Sequence, residues 1–189
     1  MRPFIHALLE GAADVPVMRE ILTRRFGLTE TLHFDLHPHN GKGKLPENLH
    51  QRPSERDRTL LHQLPAKLRA YADLGQEVLI LVVVDADDTP EAVLLNELDA
   101  MLSALQRRPP RVLFRLAIEE TESWFLADPD AIAAAYPAAK IQRIQKIDPD
   151  AVVGAWAERI APHMNFTHPR SPSLRKLLDS LVAEHVEEA

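Results

Sequence analysis

Three carboxylates, Asp85, Asp87 and Asp88, crowd into four positions of the stretch LILVVVDADDTPE, directly after six apolar residues. Two unit charges about 5 Å apart repel by roughly 3 kcal/mol at an effective dielectric near 20. Such acids either splay into water or share a positive ligand. Hard divalent ions such as Mg²⁺ take carboxylate and water oxygens. Asp85 and Asp87 are one residue apart, so in an extended strand end both face one side. Asp88 reads better as a cap for the helix starting at Pro90 than as a contact to the waters of an ion.

Other acids fall at comparable places. Glu10 precedes Gly11, where backbone approaches closely or takes a positive φ. Asp14 is expected to cap the helix that follows. Glu119 and Glu122 in IEETESWFLAD are three apart, hence on one helical face. That spacing suits a second metal or completion of the first, and it also suits acids attracted to a helix N-terminal dipole. Trp124 and Phe125 beside them read as packing residues. In HPHNGKGK, His37 and His39 suit a softer metal but lack an obvious third ligand. Lys42 and Lys44, set among glycines, suit a phosphate grip, although their spacing is not that of a Walker loop. In FTHPRSPSLRKLL, Ser173 is expected to cap a helix that carries Arg175 and Lys176, as either a phosphate-binding helix start or simply a well-capped one.

The elements that must position these groups alternate in type. FIHALLEG reads as a strand, DVPVMREILTRRFG as a helix closed by Gly27, and TLHFDLHPH as a strand of period two. A long loop follows, rich in glycine, proline and charge, with no apolar pattern to anchor it. TLLHQLPAKLRAYADLG resumes a helical pattern with Pro65 near its first turn or kinking it. EVLILVVVDADD has the composition of a central parallel strand, TPEAVLLNELDAMLSALQRR is a helix with Pro90 in its first turn, and RVLFRLAI is a strand. EETESWFLADPDAIAAAYP begins a helix or helix pair, and from Lys140 the pattern weakens to short helices and loops. Alternation of this kind specifies an α/β domain with a parallel sheet. Sites in open α/β sheets form outside the carboxyl ends of the strands; Glu10, Asp85 and Glu119 each end a strand, and the carboxylates of Glu10, Asp85 and Asp87 are expected to meet there within reach of one metal ion.

Composition narrows the classes. The chain has 189 residues, 46% hydrophobic and 26% charged, and no cysteine. Thiolate nucleophiles, disulfides and cysteine zinc sites are thereby excluded. No apolar run is long enough for a membrane span and no signal-peptide pattern opens the chain, so a cytoplasmic location is expected. A net charge of −6 argues against a broadly basic nucleic-acid binder. It leaves room for a local basic strip, and Lys42, Lys44, Arg52, Arg56, Arg58, Lys67 and Arg69 cluster within residues 40–70.

Strand–Glu–Gly in LLEGAAD and strand–Asp–x–Asp in VVVDADD resemble the signature of the Toprim (topoisomerase–primase) fold. With IEETESWFLAD and SPSL following in order, the chain resembles a bacterial Toprim-like family related to the nuclease domain of OLD (overcoming lysogenization defect) proteins. Its members are often encoded beside ATPases. The likeness covers residues 4–128, with a further stretch in the tail APHMNF…SPSL. It implies a Toprim-like, Rossmann-like α/β domain over residues 1–138, with a mainly parallel sheet flanked by helices. A small helical C-terminal extension over 139–189 would pack on the same domain. The resemblance also implies general acid/base work for Glu10 and Mg²⁺ (or Mn²⁺) binding by Asp85 and Asp87. By position it implicates Glu119 and Glu122 in a second metal site.

The function so implied is Mg²⁺-dependent phosphodiester hydrolysis, on DNA rather than RNA, with an ATPase as partner and Lys42 and Lys44 steadying the phosphate. The alternative is a non-catalytic Toprim-like module that senses nucleic acid or nucleotide and binds an ATPase. A phosphatase of the HAD-like or receiver-like class fits less well, because Glu10–Gly11 would be unexplained. No topoisomerase tyrosine and no primase zinc module can be assigned.

Overall fold

The computed structural model describes residues 2–54, 56–87, 89–117, 122–138 and 153–186. Four strands, β1 (Phe4–Leu9), β2 (Phe34–Pro38), β3 (Val78–Asp85) and β4 (Val112–Ala117), form one sheet in the order β2-β1-β3-β4. Every pairing is parallel. Leu9 stands opposite both Pro38 and Val83, and Asp85 opposite Ala117, so all four carboxyl ends emerge at one edge. This is an α/β architecture consistent with a Rossmann-like fold.

The run VLILVVV of β3 is buried along its whole length, as a strand covered on both faces requires. Alternate residues feed two cores. Ile5, Ala7, Leu9, Leu79, Leu81 and Val83 join the cluster on one face; Leu8, Ile80, Val82 and Val84 join the other.

The second face is covered by α2 (Leu60–Ala70) and α3 (Glu91–Ala104). Pro65 lies inside α2, past its first turn, and is buried. Pro90 is the N-cap residue of α3, one position earlier than expected, and no side chain caps that helix. Asp88, expected to do so, lies outside the described residues.

The first face is covered by α1 (Asp14–Glu20) with its wider π-helical continuation Ile21–Arg25, and by α4 (Glu122–Leu126), α5 (Pro129–Ala135), α6 (Val153–Ile160) and α7 (Pro172–Ala183). Gly27, at φ 64°, ends the first of these as its position suggests. Residues of α5, α6 and α7 belong to the same apolar cluster as β1 and β3. The cap of α7 is Ser171, whose Oγ accepts from the Leu174 N–H at 3.3 Å. Ser173 is therefore not the cap. It sits inside the helix, buried, and its Oγ accepts the Trp124 indole N–H at 2.8 Å. Trp124 and Phe125 are both buried in that core. No helix among the described residues is long and apolar enough to cross a membrane.

Candidate functional site

At the carboxyl edge, β1 leaves the sheet after Leu9, two register steps before β3 does. The Asp85 N–H then has no main-chain carbonyl from β1 to meet, and the Glu10 side chain takes that place: its Oε2 accepts from Asp85 N at 3.0 Å. A carboxylate thus closes the seam between the two central strands. Burial pushes the Glu10 carboxyl above its ordinary range; the Asp85 amide opposes the shift, the charges of Asp14 and Asp87 reinforce it, and Lys42 opposes it.

Asp14 is buried and its Oδ2 accepts from the Gly11 N–H at 2.8 Å. The N-cap position of α1 is Ala13, with no side-chain bond. Asp14 therefore reaches back from the first helical residue to fix the turn after Glu10, instead of capping the helix.

Asp87 occupies the left-handed region at φ 47°, which aspartate tolerates better than most residues. Its Oδ2 receives Lys42 Nζ at 3.0 Å, and the same ammonium donates to the Ala86 carbonyl at 3.3 Å. Lys42 is held in place by main chain on both sides. The Gly41 N–H donates to the Glu10 carbonyl at 2.9 Å, while the Leu60 and Leu61 amides at the start of α2 donate to the Gly41 and Lys42 carbonyls. The loop is therefore anchored where its sequence suggested no anchor. Further along, Leu45 and Leu49 pack against the second core, and Arg69 donates to the Leu49 and Gln51 carbonyls. The link that composition could not reveal is hydrogen bonding between backbone segments.

Lys44 is exposed and makes no hydrogen bond or ion pair among the described residues. Glu122 opens α4, but its side chain, and all of Glu119, lie outside the described residues. At the carboxyl end of β2, a cavity of about 390 Å³ is lined by Pro38, His39, Asn40, Arg58, Gln63 and Lys67. Two cations thus border the same edge.

Glu10, Asp85 and Asp87 share that edge without forming a ready-made cage. Among the described residues, the group of three or more His, Asp or Glu ligand atoms lying within 4.8 Å of one another is a different one, His6, Asp35 and His37. The expectation that the three acids converge within reach of one ion is corrected accordingly. Glu10 is turned to the Asp85 amide and Asp87 to Lys42, and like charges favour that separation. The donor chemistry still fits Mg²⁺: hard carboxylate oxygens, with Lys42 in contact with Asp87.

No family model, curated protein or solved structure matches this chain.

His37 does find a third partner, though not by way of His39. The parallel register sets His6 opposite Asp35 and Leu8 opposite His37. His6 Nδ1 lies 3.1 Å from His37 Nε2 and 4.0 Å from Asp35 Oδ2. His39, by contrast, turns its Nδ1 to the Leu9 carbonyl at 2.8 Å. Burial lowers the basicity of His6, His37 and His39 alike. The signal was present in the sequence as the period-two strings FIHALL and FDLHP, but using it requires knowing which strands pair and in what register.

Proposed function

We propose that this chain is a Toprim-type, Mg²⁺-dependent phosphodiesterase acting on nucleic acid, with Glu10 as the proton-handling group. The observation that carries the reading is the seam itself: a half-buried glutamate closing two parallel strands at the carboxyl edge, beside Asp85 and the Lys42–Asp87 pair. A general acid or base works best when its pKa lies near the working pH, and burial moves Glu10 upward in that direction. Asp85 and Asp87 would hold Mg²⁺ (or Mn²⁺), which when bound supplies charge stabilisation and activation of water at a phosphodiester. Release of Lys42 from Asp87 would free its ammonium for a phosphate oxygen. Arg58 and Lys67, at the neighbouring cavity, would carry the next phosphate along the strand.

The test is cleavage of plasmid and single-stranded DNA and of RNA by the purified chain, with Mg²⁺, Mn²⁺ or EDTA. Metal-dependent cleavage of DNA should fall at least about 100-fold in Glu10→Gln, the lower range for losing a positioned acid–base group. Cleavage that persists in EDTA or in the variant would overturn the assignment.

A second reading is a non-catalytic module that binds an ATPase and senses nucleic acid or nucleotide. It is favoured by Asp87 being engaged with Lys42 and by the separation of the acids. An inactive chain that nonetheless binds DNA, and stays inactive when reconstituted with an ATPase encoded nearby, would select it.

A further inference from the structure

We propose that His6, Asp35 and His37 form a binding site for a borderline transition-metal ion, Zn²⁺ by preference, across the seam of β1 and β2. Asp35 and His37 alternate along β2 and so project from one face of the sheet, and the parallel register brings His6 of β1 opposite Asp35. Two nitrogens and one carboxylate thus arrive from two hydrogen-bonded strands, with no loop involved.

The distances match the chemistry. Ligands about 2.0–2.1 Å from a tetrahedral Zn²⁺ lie roughly 3.4 Å from one another. The two ring nitrogens are 3.1 Å apart, and Asp35 Oδ2 is 4.0 Å from His6 Nδ1. Closing the last gap takes a side-chain rotation of Asp35, whose side chain is 40% exposed and has room to turn. The His6 ring is already oriented: Tyr71 stacks on it at 5.1 Å and 7°, and Phe4 meets it at 5.0 Å. Imidazole nitrogens favour Zn²⁺ and its neighbours over Mg²⁺.

The site is independent of the carboxylate edge and of the function proposed for it. Glu10 follows His6 of β1 by four residues, just past the end of that strand, which at about 3.3 Å per residue puts them on the order of 13 Å apart. One ion cannot serve both. Three protein ligands leave a coordination position open, so the site can also take an exogenous group. An ion held here would pin the edge strand β2 to the interior strand β1. Lys67 on α2 acts against the bound cation, since its charge is felt at His37.

The experiment is Zn²⁺ competition against a chelating dye on the full, tag-free chain with Mg²⁺ in excess, together with the visible spectrum of the Co²⁺-loaded protein. One equivalent of Zn²⁺ should bind in the micromolar range or tighter, with a Co²⁺ spectrum of mixed nitrogen and oxygen ligation. Affinity should fall at least about tenfold in His37→Ala and in Asp35→Asn, rise in Lys67→Met, and stay unchanged in Glu10→Gln. The Asp35 and Lys67 variants keep the test decisive if His37→Ala does not fold. Absence of micromolar binding would overturn the proposal. So would a site that survives loss of His37 or Asp35, or one that follows Glu10.

Discussion

The Glu10 carboxylate gains the Asp85 amide and loses water at the same time. Because the loss dominates, its pKa is raised in the folded chain. In the pH window between the ordinary glutamate value, about 4.3, and the higher folded one, the native state binds more protons than the unfolded chain. Stability therefore declines as pH rises through that window and stays reduced above it. Glu10→Gln keeps an oxygen for the Asp85 N–H and removes the charge. In EDTA its Tm should exceed the parent's at neutral pH, and the difference should shrink as pH falls toward 4.3. A lower Tm at neutral pH would mean that the anion–amide bond outweighs burial. That Glu10 and Asp85 share the carboxyl edge of the sheet was legible from strand ends alone, although the bond from the Asp85 amide was not. The Lys42–Asp87 contact and the third partner of His37 were not, since each depends on side chains from segments far apart in sequence; the role of Asp14 is local, but it turns on which backbone N–H, that of Gly11, its carboxylate reaches.

Among the elements, the segment from Asn40 to Lys44 behaves least as composition suggests. Gly43 sits at φ 66° against the start of α2, and a Cβ there would fall 2.0 Å from Thr59 Oγ1 and 2.5 Å from Thr59 Cβ. Gly43→Ala must push Thr59 away or move the loop, and an alanine in this backbone region costs about 1–2 kcal/mol before any clash. Denaturant unfolding should show a loss of at least about 1 kcal/mol. Under the proposed function, nucleic-acid binding should weaken as well, because Lys42 rides on the displaced segment. Unchanged stability with unchanged binding would show that the loop does not hold Lys42 where it is seen. Element types were readable wherever burial is two-sided, as along β3, or periodic, as in α3. Boundaries were harder. β2 starts at Phe34 rather than Thr31, which takes a positive φ of 67°. The cap of α7 was misplaced by two residues, although Pro172 in a first-turn position marks Ser171 as the cap.

At the scale of the whole molecule, the helices after residue 128 complete one face of the sheet. Leu174, Leu177, Leu178 and Leu181 of α7 share a core with Ile5 and Leu81, and Arg111 ties the start of β4 to Glu184 at 2.8 Å through its carbonyl. Neither half of the chain closes its apolar surface alone. Refolding followed by tryptophan emission, with Trp124 buried at the junction, should therefore take milliseconds to seconds, as in domains built on distant pairings. A microsecond phase carrying the full amplitude would contradict that. The sheet order has a consequence during synthesis. β1 is made first, yet it lies in the interior of the sheet between β2 and β3, and Phe4 must wait for Val78. At translation speeds of about 5–20 residues per second, that wait is on the order of 4–15 s, with one hydrogen-bonding edge of an apolar strand unpaired. A nascent chain stalled in that interval is the form of this protein most open to capture by a chaperone.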